Sequence, residues 1–290
     1  MKFGIPLGLV HPAAWKDLAV TADRAGFESV WLAEHLVFAT DLSTDTYPYD
    51  NKPRLNPATP LYDAPAYLCA LAALTTRVRL GTAVYLYALR HPLAAARTFA
   101  TLDQVSNGRA VVGVGAGWYE GEWRAAGLDF ATRGRRLDEA IAVSRRLWTE
   151  PAVEHHGEFY DFPEVAFEPK PVQPRLPVLA GGESRAALRR AATLCDGWIS
   201  MPQTLDGIRP RIEELRALRE EAGRAGEPFE ITAHAYALAD PGEVAEWAAL
   251  GVDRLIVRPW RRSREAVESL AEFAETYGLS ADSVGADPAL

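Results

Sequence analysis

Cysteine is scarce in this 290-residue chain: Cys69 and Cys195 are the only two, far apart and each set in an Ala- and Leu-rich stretch. Neither spacing nor setting makes a disulfide framework, a redox pair or a zinc site, so both are expected to be small buried hydrophobes. His155, His156 and His234 do not fall at a ligand spacing, and no Asp/Glu/His cluster suggests a metal. A basic excess is missing too. The formal net charge is −8 with the two signs interspersed, which argues against nucleic acid as a partner. The local cluster Arg133, Arg135 and Arg136 reads as a solvated helix face. No apolar run approaches the ~20 residues that a membrane helix needs. Met1–Ile5 starts a strand and not a signal peptide, so a cytoplasmic protein without a membrane partner is expected. There is no Gly-x-Ser-x-Gly nucleophile and no P-loop, which leaves hydrolase and phosphotransferase readings weak.

What the chain does have is a large apolar fraction, 48% of its residues, enough for a core without metals or disulfides. Short apolar runs alternate with longer segments of helical period, the pattern of parallel strands joined by helices. Eight strands are expected, at Lys2–Leu7, Ser29–Ala33, Val78–Val84, Ala110–Val114, Pro177–Ala180, Gly197–Ser200, Ile231–Ala237 and Arg254–Arg258. Several are near-continuous apolar runs, as strands buried on both faces require. Helices are expected at Pro12–Gly26, Pro92–Asn107, Pro210–Gly226 and Pro241–Gly251, the last with Asp240 as its cap. A doubly wound sheet would carry Gly-x-Gly-x-x-Gly after its first strand, and none is present. The expected fold is therefore a (β/α)8 TIM barrel, one domain over residues 1–290, with insertions after strand 2 (Thr40–Tyr62) and before strand 5 (Glu150–Leu176). The second insertion is expected to fold back as a hairpin around His156–Asp161.

Three places can carry chemistry. In Val112-Gly113-Val114-Gly115-Ala116-Gly117-Trp118, glycines at alternate positions strip one face of a strand end of side chains, so a flat ligand can lie against the backbone. A tight turn would need fewer. In Gly181-Gly182-Glu183-Ser184, a strand runs through a glycine pair into the helical stretch Arg185–Leu194. The free N–H groups there suit a phosphate, with Ser184 either adding a hydroxyl or serving only as the helix cap. Glu183 would disfavour an anion if it pointed inward and is expected to face away. Glu34 and His35 end the second strand, where barrel catalytic residues fall, and form a pair able to exchange protons.

With these segments in hand, the chain resembles the luciferase-like monooxygenase superfamily. The likeness lies in Arg90-His91-Pro92, Thr101–Arg109, Val112–Trp118, Arg133–Ala140, Gly181–Ser184 and Asp196-Gly197-Trp198, and runs along nearly the whole chain. It implies an oxidoreductase holding FMN or the deazaflavin coenzyme F420 at the C-terminal mouth of the barrel. It further implies that Gly181, Gly182 and Ser184, with Glu183 among them, hold the cofactor phosphate, and that Gly115, Ala116 and Gly117 approach the ring or its side chain. In the F420 branch a non-proline cis peptide at the end of the third strand, here Ala83–Val84, backs the deazaflavin. Leu80–Val84, the Glu34-His35 pair and the Tyr47–Asp50 loop resemble that branch. On this likeness His35 is the expected proton donor, with Glu34 tuning it or contacting the cofactor's polar edge. Trp118 stands where the glucose-6-phosphate dehydrogenase of that branch has an acid, and it cannot protonate anything. Trp118, Tyr119, Tyr85, Tyr47 and Tyr49 suggest an aromatic pocket for an enone, an imine or a polyketide-like ring. The alternatives are an FMN-dependent monooxygenase fed by a partner reductase, and a non-catalytic cofactor-binding subunit. Family members are commonly dimers, so a homodimer is expected.

Overall fold

The computed structural model describes residues 1–42, 47, 56–238 and 240–281. Its centre is a closed barrel of eight parallel strands: β1 (Lys2–Pro6), β2 (Ser29–Leu32), β3 (Arg79–Thr82), β4 (Ala110–Val114), β7 (Val178–Gly181), β8 (Gly197–Pro202), β9 (Glu230–His234) and β10 (Arg254–Ile256). Around the barrel they run β1-β10-β9-β8-β7-β4-β3-β2, so each strand pairs with its neighbour in sequence once the hairpin β5 (Ala152–His156) and β6 (Asp161–Ala166) is set aside. The expected barrel holds, as does the insertion before strand 5, while the expected insertion after strand 2, Thr40–Tyr62, lies largely outside the described residues.

Alternation along each strand decides what fills the barrel and what faces the helices. Inward lie Trp31, Val111, Leu179, Ile199 and Ile256, a separate small core. Outward residues such as Val30, Leu80, Val112 and Ala180 join the larger core beneath the helices. Both faces are buried, which is why the strands read as continuous apolar runs. Trp31 is too large for a strand interior unless its neighbours shrink. A side chain at Gly81 would overlap the Trp31 ring, and one at Gly4 would meet Trp31 Nε1 and Ser29 Oγ.

The helices largely follow their sequence signals. Residues 12–14 form a 3-10 turn leading into α1 (Trp15–Ala25), which stops on Gly26 at φ 88°. The helix α2 (Ala64–Ala72) is capped by Asp63, whose carboxylate accepts the Ala66 N–H at 2.8 Å. The long α3 (Pro92–Ser106) ends on Asn107 in the left-handed region, φ 54°. Then come α4 (Glu120–Ala125), α5 (Arg133–Thr149), α6 (Arg185–Leu194), α7 (Leu205–Glu221), α8 (Glu243–Ala249) and α9 (Ala266–Thr276).

Several boundaries need correction. The helix expected from Pro210 begins at Leu205, because Thr204 caps it by accepting the Gly207 N–H, and Pro210 is carried inside. That proline costs the helix one hydrogen bond. The helix expected over Pro241–Gly251 is shorter, with Asp240 accepting the Gly242 N–H at 2.7 Å just ahead of α8. Strand β3 stops at Thr82, and the chain touches β4 again only through a bridge between Tyr85 and Val114. Strand β9 starts one residue early, at Glu230, whose carboxylate binds Arg254 of β10, and it ends at His234 rather than Ala237, just as β10 ends at Ile256 rather than Arg258.

The hairpin turns at residues 157–160 and folds back along α5. Glu139 accepts the Phe159 and Tyr160 N–H groups, each at 3.0 Å, and also meets His155 Nε2 at 3.0 Å. The Arg136 guanidinium lies 4.4 Å from the Phe159 ring centre and Arg135 pairs with Glu158. Arg135 and Arg136 thus hold the hairpin, with Arg135 still exposed as a solvated face would be, while Arg133 stacks on Phe130 instead. Cys195 is buried, with its thiol pushed up to about 12 by burial, and Cys69 is half-buried. Among the described residues there is no group of three or more side chains that could hold a metal, and no helix long and apolar enough to cross a membrane.

At the N-terminal end of the barrel Arg254 is fully enclosed. It donates to both carboxylate oxygens of Glu28, at 2.6 and 2.7 Å, to Glu230, and to Thr232 Oγ1 at 3.0 Å. Its guanidinium stands 5.2 Å from the Trp31 ring centre, so this ion cluster floors the inner core.

Candidate active site

At the C-terminal mouth the chain leaves β3 through Ala83 and Val84, and the peptide bond between them is cis. Val84 is wedged between two strand ends: a Cβ added at Gly115 would overlap Val84 Cγ2, and one added at Gly181 would overlap Val84 Cγ1. A Cβ at Gly113 would strike the Thr82 carbonyl, while Thr82 Oγ1 donates to the Gly113 carbonyl at 2.8 Å. The alternate glycines therefore make room first for the protein's own Ala83–Val84 turn. What the mouth presents is an apolar ledge of half-buried Ala83 and Val84, with half-buried Ala116 and Gly117 beside it. Gly117 has φ 78°, a conformation that favours glycine.

Glu34 and His35 follow β2 but turn to different partners. The Glu34 N–H donates to the Val84 carbonyl at 3.2 Å, fixing the pair beside the ledge. The Glu34 carboxylate accepts the Leu86 N–H at 2.9 Å and binds both terminal nitrogens of Arg90. Burial raises its pKa, and Arg90 and the Leu86 N–H pull in the opposite direction. Arg90 in turn lies 3.9 Å from Asp63 and 4.5 Å from the Tyr85 ring centre. His35 meets a different acid. Its Nδ1 is 3.0 Å from Oε1 of Glu122, a fully buried residue of α4 whose other oxygen accepts the Leu36 N–H at 3.0 Å. Where the Glu122 carboxylate accepts this bond, Nδ1 donates it and Nε2 is the nitrogen left open. The His–carboxylate pair is thus His35–Glu122, not the expected Glu34–His35.

On the opposite side, β7 runs through Gly181 and Gly182, the latter at φ 113°, into α6. Ser184 caps α6 by accepting the Ala187 N–H at 3.2 Å, and it is exposed. Glu183 does not face away as expected. It is buried in a cavity wall, accepting the Met201 N–H at 2.7 Å and lying 3.8 Å from Arg211 of α7. That bond laces the ends of β7 and β8 together, which explains the inward turn. Burial raises the Glu183 pKa against these partners.

Glu34, His35 and Glu183 border a cavity of about 660 Å³ whose wall also includes Leu32, Ala33, Trp118 and Met201, whereas Ala83, Val84, Gly115, Ala116, Gly117, Gly181, Gly182 and Ser184 are not part of that wall. Cavities of this size hold cofactors and drug-sized ligands. Of the five aromatic residues expected around it, two are in the wall: Tyr47 and Trp118, with ring centres 5.1 Å apart. The Tyr47 hydroxyl reaches Met201 Sδ at 3.4 Å, and Trp118 stands edge-on to His35 at 5.9 Å. Tyr85 is buried against Phe99 under Arg90, and Tyr119 is buried with its hydroxyl accepting the Ala39 N–H, so neither lines the cavity. Tyr49 lies outside the described residues. Sequence reading missed Glu122, which sits one helical turn past Trp118, and the wall residues Phe38, Tyr62 and Tyr236. Nearby, His234 is buried on β9 with its ring against the Ser200 carbonyl, and burial lowers its pKa to about 4.

A closed parallel barrel with buried acids, a histidine and a cavity at the C-terminal ends of its strands is an enzyme architecture. The chain belongs to the luciferase-like monooxygenase family, whose model matches residues 6–277. Members of that family are oxidoreductases or monooxygenases that depend on a flavin or on F420. An uncharacterized protein of Mycobacterium tuberculosis is 34% identical over 233 residues, 80% of each chain. The FMNH2-dependent dimethylsulfone monooxygenase of Pseudomonas putida is 31% identical over 239 residues, 81% of this chain and 60% of that one. Among solved structures, an F420-dependent secondary alcohol dehydrogenase with an F420–acetone adduct superposes with TM-score 0.76 at 18% identity, covering 95% of this chain and 97% of the other. The monooxygenase RslO1 of Streptomyces bottropensis gives TM-score 0.72 at 23% identity, covering 95% and 98%.

Proposed function

We propose that the protein transfers a hydride between coenzyme F420 and a small, partly apolar organic substrate. The observation that carries this reading is His35, oriented by the buried Glu122 carboxylate in the wall of the cavity beside the Ala83–Val84 ledge. Reduction of a carbonyl or imine, and its reverse, needs a proton-exchanging group at the reacting heteroatom.

The residues present fit a deazaflavin. Ala83 and Val84 offer an apolar face seated on Gly115 and Gly181. The exposed first turn of α6, with Gly182 and Ser184, offers N–H and hydroxyl donors to a phosphate. The Glu34 carboxylate can accept from the N–H edge of a ring. When bound, the deazaflavin supplies a carbon that gives or takes a hydride and reacts little with oxygen. The chain does the rest. Trp118, Tyr47 and Phe38 enclose the substrate and keep water out. His35 Nε2 gives or takes the proton, and Glu122 stabilises the imidazolium while fixing the ring's orientation. Arg90 holds Glu34 in place. A homodimer, implied by the family likeness, belongs to the same proposal. Fluorescence titration with F420 and with FMN tests the choice: tighter binding of F420 supports it, and tighter binding of FMN overturns it.

The likeness to an FMNH2-dependent sulfone monooxygenase favours one second reading, an FMN-dependent monooxygenase supplied by a partner reductase. Oxygen consumption that depends on reduced FMN and on an added organic substrate distinguishes it.

A further inference from the structure

We infer that Tyr236 sets substrate specificity: its phenolic hydroxyl donates a hydrogen bond to an acceptor oxygen at the end of the substrate remote from the carbon that exchanges the hydride. The inference rests on the cavity being the substrate site proposed above. Placement carries it first. Tyr236 stands two residues past β9, and it is part of the cavity wall. Ala83, Val84 and Tyr236 all pack on the inner core that holds Trp31 and Ile256, so the ledge and the tyrosine stand on one floor. They stand on opposite sides of it, because β3, which leads into the ledge, and β9 lie four strands apart in the ring of eight. The strand before His35, β2, is the neighbour of β3. A reacting carbon close to both the ledge and His35 therefore lies on the β2–β3 side. Tyr236 meets the other end of the molecule.

The second support is the state of the side chain. Its backbone is pinned, since the Arg258 N–H donates to the Tyr236 carbonyl and the Ala235 N–H to the Ile256 carbonyl, each at 3.1 Å. Its ring stands edge-on to His234 with centres 5.5 Å apart, and the Arg258 guanidinium lies 5.5 Å from the ring centre. The ring is thus fixed, but the hydroxyl has no hydrogen-bond partner among the described residues. The wall's other tyrosines differ. The Tyr47 hydroxyl is committed to Met201, and Tyr62 is 46% exposed and packs edge-on against Trp15. Burial raises the Tyr236 pKa, and Arg258 only partly opposes this, so the oxygen keeps its proton at neutral pH and serves as a donor. A half-buried donor held in a fixed place discriminates against molecules that offer it no acceptor, because binding them strips its water without a replacement.

The test is calorimetric titration of the full chain, free of cofactor, with two probes of one shape: 1,4-diacetylbenzene and 4′-isopropylacetophenone. Both carry one acetyl oxygen, and only the diketone carries an acceptor at the far end as well. The diketone is expected to bind about fivefold tighter. Tyr236→Phe keeps the ring contacts and removes only the hydroxyl. It is expected to bring the two affinities within about twofold of each other, with the isopropyl probe itself changed less than about twofold and the urea midpoint near wild type. His35→Ala is expected to weaken both probes by about the same factor, leaving their ratio intact. Equal binding of the two probes to the wild-type chain overturns the inference, as does no binding of either. A preference that survives Tyr236→Phe while His35→Ala weakens both probes overturns the inference alone and leaves the cavity as the substrate site. Affinities unchanged in both variants overturn that site reading too. The F420 and FMN titrations stand apart from all of these, because no cofactor is present here.

Discussion

The two ends of the barrel use buried ion pairs in opposite ways. At the N-terminal end Arg254 is matched by Glu28 and Glu230, all its bonds point inward, and its cluster floors the Trp31 core. At the C-terminal end the acids Glu34, Glu122 and Glu183 are as deeply buried, yet each is near a cavity of about 660 Å³. At one end charge is enclosed and serves the fold. At the other, Glu34 and Glu183 are held at a cavity wall, with Glu122 behind His35. Burial of a charge alone therefore does not single out a candidate site; burial beside an opening does.

That contrast is broken most severely by Arg254→Ala. Two carboxylates lose their cation in a dry site, at a cost of about 3–5 kcal/mol, read as a lower midpoint in urea. At the other end His35→Ala is expected to cut hydride transfer by about a hundredfold or more while the urea midpoint stays near wild type. Rates within a few-fold of wild type would remove His35 from the mechanism. A smaller loss, about 1–3 kcal/mol by thermal unfolding, is expected for Gly115→Ala, because the added methyl collides with Val84. Ser184→Ala removes a helix cap worth about 1 kcal/mol, and weaker binding of a phosphate-bearing cofactor should accompany it.

Acid separates the two ends without mutation. His234, near the mouth, has its pKa lowered by burial from 6.5 to about 4. The unfolded chain then binds the proton first, so this part of the stability is intact above pH 6.5 and falls as the pH drops from there toward about 4. Glu28 is held down to about 2: burial pushes it up, and the Arg254 guanidinium more than offsets that. Its share is intact above the ordinary 4.5 and is lost only as the pH falls from there toward about 2. Urea midpoints measured across this range should show the histidine loss first, and His234→Gln should shrink that early limb, leaving the part due to His91, whose pKa burial also lowers.

The fold was legible because parallel strands buried on both faces are continuous apolar runs, and because Gly26 and Asn107 punctuate their helices in the usual way. Pro210 misled, since a proline is a good start signal and the competing Thr204 cap could be recognised only once its bond to Gly207 was visible. Glycines announce close approach but not of what. At Gly113 and Gly115 the approaching group is the protein's own Thr82 or Val84. His35 was found from its place at a strand end. Its partner was not, because Glu122 lies 87 residues away and is brought in by α4, and the neighbouring Glu34 looked like the simpler choice. Tyr85 and Tyr119 show the limit of reading aromatics from sequence, because burial against the core and exposure to a cavity call for the same residue types.

The most direct test of the account is a crystal structure of the protein with F420 bound. The account requires the deazaflavin ring against Ala83 and Val84, its phosphate at Gly182 and Ser184, and His35 facing the ring's reactive side. A ring bound away from that ledge, or a phosphate held elsewhere than the start of α6, would contradict it.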